Sequence, residues 1–400
     1  MENKRFPNLC SDKDCTGCMA CFNACNSSAI RLQTNDEGFY RPVIEKSKCV
    51  GCLLCEKSCP ILHAPKRNRF EDIKVYAAWH RDEKIRLESS SGGAFSAIAE
   101  TILNEGGVVV GASYSEDLSI EHIVIDNIED LKKLRLSKYA QSNIGTIFKL
   151  IKKYLIEGRF VLFVGTACQA SGLKNYLNKD YDNLICCDII CHGVPSNDFL
   201  QSYLKWVTSK YGSINHINFR DKSKGWYDNL RVIRTHDGTR HEMKGQDDAY
   251  WIAFSRNNCL QESCYSCKAQ GFPRSSDITL ADFWRIGHNI PFGHKNEIEK
   301  GISMIIVNNP KVLPYLSKFE KIMYMEERSY EEAIMGNKAG IKSSHRPNSR
   351  NNFYKDLNEM GFELFRSQYM KPTLKETVVK IFRERLPYSI ISFVRLRKQK

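Results

Sequence analysis

From about Lys74 onward, short apolar runs alternate with segments in which apolar residues recur at helical spacing. Short apolar runs bounded by glycine or polar residues predict buried strands, whereas apolar residues three and four positions apart predict helices with one buried face. Strands are predicted at KVYAAWH, GVVVGASY, HIVIDN, RFVLFVG and NLICCDII, and helices at GGAFSAIAETILNEG, at about 143–157 and at about 167–177. This alternation predicts an α/β domain in which helices cover a central sheet.

The N-terminal segment follows a different pattern, in which cysteines recur. Two C-x2-C-x2-C-x3-C runs flank AIRLQTNDEGFYRPVIE, which predicts a hairpin turning at Asp36-Glu37-Gly38. Two such runs are typical of a bacterial ferredoxin with two four-iron clusters, in which the fourth cysteine of each run binds the other cluster. The spacing predicts two crossed ligand sets: Cys15, Cys18, Cys21 and Cys59 for one 4Fe-4S cluster, and Cys49, Cys52, Cys55 and Cys25 for the second. Zinc is disfavoured because its ligand pairs stand further apart in sequence.

Composition restricts the compartment and the partners. The 400 residues include sixteen cysteines and neither an apolar leader nor an apolar run long enough to cross a membrane, which predicts a cytoplasmic protein. In a reducing compartment, cysteines serve as metal ligands or redox groups rather than as disulfides. The formal charge of +13 would suit nucleic acid. However, each cluster bound by four thiolates adds about two negative charges, so we expect no nucleic-acid partner.

Later cysteines predict a third metal site. Cys264 and Cys267 form a C-x2-C pair, and Cys168 and Cys191 each follow a predicted buried strand. Because neighbouring parallel strands end at the same edge of a sheet, these four thiolates are expected to bind a third 4Fe-4S cluster or a structural zinc ion. Cys259 is the reserve ligand. Cys186 and Cys187 are predicted core residues, and Cys10 is predicted to be a bystander.

Two predicted helices begin with small and hydroxyl residues. SSSGG at 89–93 and GTACQ at 165–169 place free backbone N–H groups and the positive end of the helix dipole where a phosphate could bind. The same residues could equally serve as ordinary helix caps with glycine for close packing. The thiol of Cys168 lies in a first helical turn, which favours its thiolate.

The order of motifs carries a resemblance. The ferredoxin-like runs, SSSGG, SKYAQS, GTACQ, CHGVPS, FRDKSKGW, SCYSC and SDITLADFW together resemble the family of coenzyme F420 hydrogenase/dehydrogenase beta subunits. The resemblance implies an α+β ferredoxin-like 2x4Fe-4S module followed by an α/β flavin-binding domain that holds FAD. It also implies electron flow between an acidic carrier such as ferredoxin and a two-electron substrate. Bacterial members similar to this chain often accompany polysaccharide biosynthesis genes.

The resemblance also implies site residues. The flavin contacts are expected at Ser90, Ser91, Gly92, Gly93, Lys138, Tyr139, Gln141, Ser142, Gly165, Thr166, Gln169 and Gly193. His192 is predicted either as a catalytic proton donor or as a structural histidine. Lys222 is predicted as catalytic within FRDKSKGW, whose residues Arg220, Asp221, Gly225 and Trp226 would form a mobile wall or an ordinary hairpin turn. Asp282 and Trp284 are predicted to be structural residues around the cluster loop.

The predicted boundaries are 1–66 for the ferredoxin module, 74–345 for the flavin-binding domain and 346–400 for a helical tail. The tail, from Leu374 to Phe393, is basic and amphipathic, with Pro387 as a break. Such a segment would either contact the inner face of an anionic membrane, near a lipid-linked substrate, or pack on the protein. Two other functions stay open: a non-catalytic electron-transfer subunit, and an iron-sulfur ligand-binding protein.

Overall fold

A mixed eight-stranded sheet forms the centre of the computed structural model, which describes residues 5–68, 73–228, 230–373 and 377. Within the described residues the strands are β1 Ile30–Thr34, β2 Tyr40–Ile44, β3 Lys74–His80, β4 Val108–Tyr114, β5 Ile120–Ile125, β6 Val161–Thr166, β7 Leu184–Ile189, β8 Ile214–Asp221, β9 Leu230–Thr235, β10 Arg240–Lys244, β11 Ile278–Asp282, β12 Ser303–Val307 and β13 Met323–Arg328.

The α-helices in the same part of the chain are mostly short. They are α1 Ala20–Ala24, α2 Leu54–Lys57, α3 Glu83–Leu87, α4 Ala94–Asn104, α5 Leu131–Leu134, α6 Ile147–Ile156, α7 Ala167–Leu177, α8 Asn197–Tyr211, α9 Ala249–Ser255, α10 Leu313–Ile322, α11 Tyr330–Met335, α12 Arg350–Glu359 and α13 Phe362–Tyr369. None of these helices is long and apolar enough to cross a membrane.

The central sheet has the order β13-β3-β12-β11-β7-β6-β4-β5. Its four middle strands, β11, β7, β6 and β4, run parallel, and antiparallel strands complete both edges. All five predicted strands are present as β3 to β7, and the three predicted helices are present as α4, α6 and α7. The carboxyl ends of β6, β7 and β11 therefore lie side by side, which brings the loops after them together.

Helices cover both faces of this sheet. On one face α4 and α10 bury Ile98 and Phe319 against the strands, and on the other face α6 and α7 bury Phe148 and Leu173. Because side chains alternate along a strand, Cys186 and Cys187 point into opposite cores, and both are fully buried as predicted.

The N-terminal module contains α1, α2 and the antiparallel pair β1 and β2, whose turn confirms the predicted hairpin. The helices α1 and α2 each begin after a residue with left-handed backbone, Met19 and Leu53. The module shares an apolar core with α6 and α7, to which it contributes Cys18, Met19 and Ala20. It is therefore docked directly on the α/β domain.

A third layer contains α8, α9, α12, α13 and the antiparallel sheet β10-β9-β8. In it, Arg350 of α12 pairs with Glu37 in the hairpin turn of the N-terminal module, with N···O of 2.6 Å. The described part of the predicted tail thus packs on the protein. The predicted amphipathic pattern from Leu374 to Phe393 lies outside the described residues.

Candidate functional site

The two N-terminal cysteine runs form crossed groups. Burial raises the pKa of Cys21, and the charges of Cys18, Cys15 and Cys59 raise it further, which places Cys59 with the first run. Burial also raises the pKa of Cys55 to about 11, with added repulsion from Cys25 and Cys52. Each group therefore contains the fourth cysteine of the other run, as the spacing predicts.

Cys10 lies closer to the first group than its position outside the motif indicates. It lines a cavity of about 20 Å³ together with Cys15, Cys18, Cys21 and Cys59. Hydrogen bonding to Cys15 and Cys59 raises its pKa. Cys10 thus lies beside two predicted ligands, and its role as a bystander stays a prediction.

The four cysteines predicted for a third site come together as well. Burial raises the pKa of Cys191 to about 12, and the charges of Cys168 and Cys267 raise it further. Cys264 is near the same three thiols. Cys259, the predicted reserve ligand, is instead fully buried in the core formed by α8, α9 and α12.

The third cysteine group could hold either a four-iron cluster or a zinc ion. Within residues 5–68, 73–228 and 230–373, no group of three or more His, Cys, Asp or Glu side chains is positioned to hold a single metal ion. A structural zinc ion would need four ligands around one ion, and it stays the alternative for this third site. A four-iron cluster takes one cysteine per iron, so more widely spaced thiols fit it.

A cavity of about 980 Å³ opens at the carboxyl ends of the parallel strands. It is lined by Thr16 and Gly17 of the first cysteine run and by Cys191 of the third group, so both groups reach its wall. All the predicted flavin contacts except Gly92 line it: Ser90, Ser91, Gly93, Lys138, Tyr139, Gln141, Ser142, Gly165, Thr166, Gln169 and Gly193. The volume is at the upper end of the range for small-molecule and cofactor sites.

Residues 89–93, the serine loop, lead into α4 at the cavity wall. A Cβ atom on Gly92 would lie 2.4 Å from the carbonyl oxygen of Ala78, so Gly92 allows the loop to pack against β3. Gly93 has φ of +89° and precedes the first residue of α4. The first residues of this helix, Ala94 and Phe95, line the cavity, and the backbone N–H of Ala94 donates to the hydroxyl of Ser303 at 3.4 Å.

Lys222 supports the serine loop from outside the cavity. Its ammonium donates hydrogen bonds to the carbonyl oxygens of Arg86, Ser91 and Lys300. Burial lowers the pKa of Lys222 to about 7. Because all three N–H donors are used by backbone carbonyls, this placement does not support the prediction of Lys222 as a catalytic residue.

The second helix start is closed by its own side chains. The side-chain oxygen of Gln169 accepts hydrogen bonds from the backbone N–H of Thr166 at 2.9 Å and from its hydroxyl at 3.1 Å, forming a capping box on α7. Gln169 and Thr166 thus combine the two interpretations left open by the sequence: they cap the helix, and they line the cavity.

His122 also lines the cavity and was not identified from the sequence. Its Nε2 lies 3.1 Å from the carbonyl oxygen of Val164, which can only accept, so Nδ1 accepts the hydroxyl proton of Ser142 at 2.5 Å. Burial lowers the pKa of His122 to about 4, so the ring is neutral at pH 7. No sequence motif surrounds His122 that could have marked it.

Positive charge prevails in the cavity wall. Five cationic side chains line it, Arg135, Lys138, Arg220, Arg285 and Lys338, against the single carboxylate of Asp282. Arg220 pairs with Asp282 at 3.1 Å, and the indole N–H of Trp226 donates to the same carboxylate at 2.8 Å. The wall therefore favours an anionic ligand.

Asp282 and Trp284, which the sequence assigns to the structure around the cluster loop, also line the cavity. The ring of Trp284 stacks on Trp226, with centroids 4.5 Å apart. Of FRDKSKGW, only Arg220 lines the cavity, while Trp226 is fully buried beneath Trp284. The buried residues Arg220 and Trp226 of this segment thus support the wall, while Ser223 and Lys224 are exposed.

His192 lies at the cavity wall with partners on both ring nitrogens. Its Nε2 is 2.6 Å from the side-chain oxygen of Asn257, and its Nδ1 is 3.5 Å from the hydroxyl of Ser344. Burial lowers the pKa of His192, while the hydrogen bond to Asn257 opposes this effect. Since the Nε2 proton is donated to Asn257, the arrangement favours the structural alternative for this histidine.

Comparison with known sequences decides the family. Residues 75–149 match the profile of the N-terminal part, and residues 158–333 that of the C-terminal part, of the coenzyme F420 hydrogenase/dehydrogenase beta subunit. The chain belongs to the family of these beta subunits. Residues 14–61 match the 4Fe-4S dicluster domain, so this member of the family carries an iron-sulfur module at its N-terminal side.

Individual relatives are redox proteins. The chain is 24% identical to one of the subunits of the F(420)H(2) dehydrogenase of Methanosarcina mazei, over 61% of this chain and 70% of that protein. It is 29% identical to the coenzyme F420-dependent sulfite reductase of Methanocaldococcus jannaschii, over 40% of this chain but only 24% of the reductase. One chain of the F420-reducing NiFe hydrogenase complex of Methanosarcina barkeri superposes with a TM-score of 0.45 at 16% identity, covering 75% of this chain and 92% of that one.

Proposed function

We propose that this member of the beta-subunit group is an iron-sulfur flavoprotein oxidoreductase, which passes electrons between a one-electron carrier protein and a two-electron substrate. The observation that carries the proposal is the shared wall: Thr16 and Gly17, which lie between cysteines of the first run, and Cys191 of the third group line the same cavity as two helix N-termini. Electron donors and a flavin would thus lie side by side. A deazaflavin is one substrate class to test, because coenzyme F420 appears in the names of relatives.

The residues present fit FAD. The start of α4 offers backbone N–H groups, and Lys138 and Arg135 supply positive charge for a diphosphate. Burial lowers the pKa of Lys138 to about 7, so an added anion would favour its charged form. A bound flavin would take up single electrons and release them as a pair, usually as a hydride.

The cysteine groups fit three four-iron clusters. Cys18 lies near Cys168. Burial is the largest cause that raises the pKa of Cys18, and the charges of Cys15 and then Cys168 raise it further. The first N-terminal group and the third group are therefore neighbours. The second N-terminal group contains Cys52, which is exposed, so it provides the surface end of the series.

The surface around Cys52 suits a carrier protein. Val50 is 64% exposed and Leu54 is 39% exposed, which gives an apolar patch beside the second group. Lys46 and Lys57 lie in the same part of the chain and supply positive charge, whereas Lys48 pairs with Glu45 at 2.7 Å. An apolar centre with a basic rim favours an acidic partner such as ferredoxin.

The experiment is rapid mixing of the anaerobically purified chain with reduced ferredoxin. We expect loss of the oxidised flavin absorbance in the isolated chain, and Val50→Glu should slow it about tenfold while reduction by dithionite stays unchanged. Ile156→Glu is the matched control, because Ile156 is 68% exposed at the end of α6. Bound flavin that is never reduced by a carrier would favour the ligand-binding alternative instead.

A second candidate function is an electron-transfer subunit that needs a catalytic partner. It is favoured by the relative in Methanosarcina mazei, which is itself a subunit of a dehydrogenase. Flavin reduction without turnover of any small-molecule acceptor by the isolated chain would support this candidate over the first.

A further inference from the structure

The cations of the cavity wall differ in what they contact. Arg135 pairs with Glu88 at 3.2 Å, and Arg220 pairs with Asp282. Lys138 donates to the carbonyl oxygens of Lys133 and Arg135. In the described parts of the chain, Arg285 and Lys338 have no carboxylate within 4.0 Å.

Arg285 has an unused donor. Its Nε is buried and has no hydrogen-bond partner, and its only side-chain hydrogen bond within the described residues is from Nη2 to Nε2 of His288, at 3.3 Å. A buried guanidinium N–H without an acceptor is unfavourable, so the groups of the described residues leave the hydrogen-bonding capacity of Arg285 partly unused. Arg285 also has φ of +66°, a left-handed conformation that is strained for a residue with a side chain.

The segments that carry the two cations are packed together. A Cβ atom on Gly336 would lie 2.1 Å from the carbonyl oxygen of Trp284, and Asn337 donates to the carbonyl oxygen of Asp282 at 3.1 Å. These contacts hold the turn with Lys338 beside the end of β11. Trp284 adds an aromatic surface at the same wall.

We propose that Arg285 and Lys338 form an anion site that binds a phosphate or carboxylate group of the two-electron substrate. The inference rests on the proposed function, and it adds a substrate class: a molecule with an anionic group in addition to its redox-active part. Guanidinium and ammonium groups together suit phosphate oxygens, because charge-assisted hydrogen bonds are about twice as strong as neutral ones. The diphosphate of the resident flavin is the other source of the same chemistry.

Two acceptors that differ in one phosphate test the proposal. FMN and riboflavin share one ring system, and either can take two electrons and two protons from the reduced holoprotein. We expect the reduced wild-type protein to be reoxidised at least about tenfold faster by FMN than by riboflavin at equal concentration. Arg285→Gln and Lys338→Gln should bring the ratio toward one without change in bound flavin or iron. Lys342→Gln is the control, because Lys342 follows in the same segment and does not line the cavity.

The other outcomes contradict the proposal in distinguishable ways. Equal rates with FMN and riboflavin in the wild type, with flavin bound, would reject the anion site but leave the proposed function intact. Loss of bound flavin in Arg285→Gln would assign the cations to the cofactor diphosphate instead. If the purified chain holds no flavin, the proposed function fails, and the anion site is tested instead by calorimetric binding of pyrophosphate. Binding that is lost in Arg285→Gln would support the anion site. Absence of binding to the wild type would overturn it.

Discussion

The side-chain amide of Gln261 donates a hydrogen bond to the carbonyl oxygen of Cys15, at 3.0 Å, and so joins the third cysteine segment to the first. The same amide's oxygen accepts a hydrogen bond from Gln141 at 3.2 Å, and Gln141 in turn accepts from the backbone N–H of Tyr40 at 2.7 Å. Two buried glutamines thus connect the N-terminal module, the cavity wall and the segment of Cys264.

Replacement of Gln261 tests this connection. Gln261→Ala leaves the buried Cys15 carbonyl and the Gln141 amide without their partner, and we expect a loss of about 1–3 kcal/mol in the free energy of unfolding. Urea unfolding of the anaerobic protein measures the loss. Gln33→Ala, at an exposed position of β1, should change stability by less than about 0.5 kcal/mol. Equal effects of the two substitutions would show that the connection carries no energy.

The contact between α7 and the first cysteine run predicts a steric effect. A Cβ atom on Gly172 would lie 2.9 Å from Sγ of Cys18, so Gly172→Ala should displace a predicted cluster ligand. We expect about 1–3 kcal/mol of destabilisation and loss of about four iron atoms, although alanine is the better helix former. Gly361→Ala is the control, because nothing lies within 4 Å of that site. Unchanged iron in Gly172→Ala would contradict the close packing.

The third cysteine group predicts a difference between two nearby cysteines. Cys264→Ala should lower the iron content from about twelve to about eight atoms per chain, since Cys264 lies near Cys191, Cys168 and Cys267. Cys259→Ala should leave the iron content unchanged, because Cys259 packs in the α8, α9 and α12 core. Iron analysis by mass spectrometry measures both. Eight iron atoms and one zinc in the wild type would replace the third cluster with a zinc site.

His122 predicts a pH dependence of stability. Its pKa is lowered by burial from the usual 6.5 to about 4, so between these values the unfolded chain binds the proton and the folded chain does not. The stabilisation from neutral His122 is therefore complete above about pH 6.5 and decreases as the pH falls toward 4, by about 3 kcal/mol in total. Unfolding of wild type and His122→Asn across this range isolates the effect as a difference. A difference that does not change with pH would show that His122 has the same pKa in the folded and unfolded states, and would contradict the lowered pKa.

The sequence predicted the elements and sites that depend on local spacing. The cluster loops, β3 to β7 and the grouping of Cys168 with Cys191 follow from motif spacing and from strands that end at one sheet edge. Residues whose roles depend on distant contacts could not be predicted in this way. Lys222 binds carbonyl groups of residues 86, 91 and 300, and its sequence neighbours give no sign of them. His122 and Arg285 likewise enter the cavity wall through the packing of distant segments.

Bound flavin distinguishes the proposed oxidoreductase from an iron-sulfur protein that only binds a ligand. The most direct measurement is a joint count of flavin, iron and sulfide in the anaerobically purified chain, with an absorbance spectrum before and after reconstitution with FAD. We predict about one FAD and about twelve iron atoms per chain. Iron-loaded protein that contains no flavin and takes up none on reconstitution would contradict the central claim.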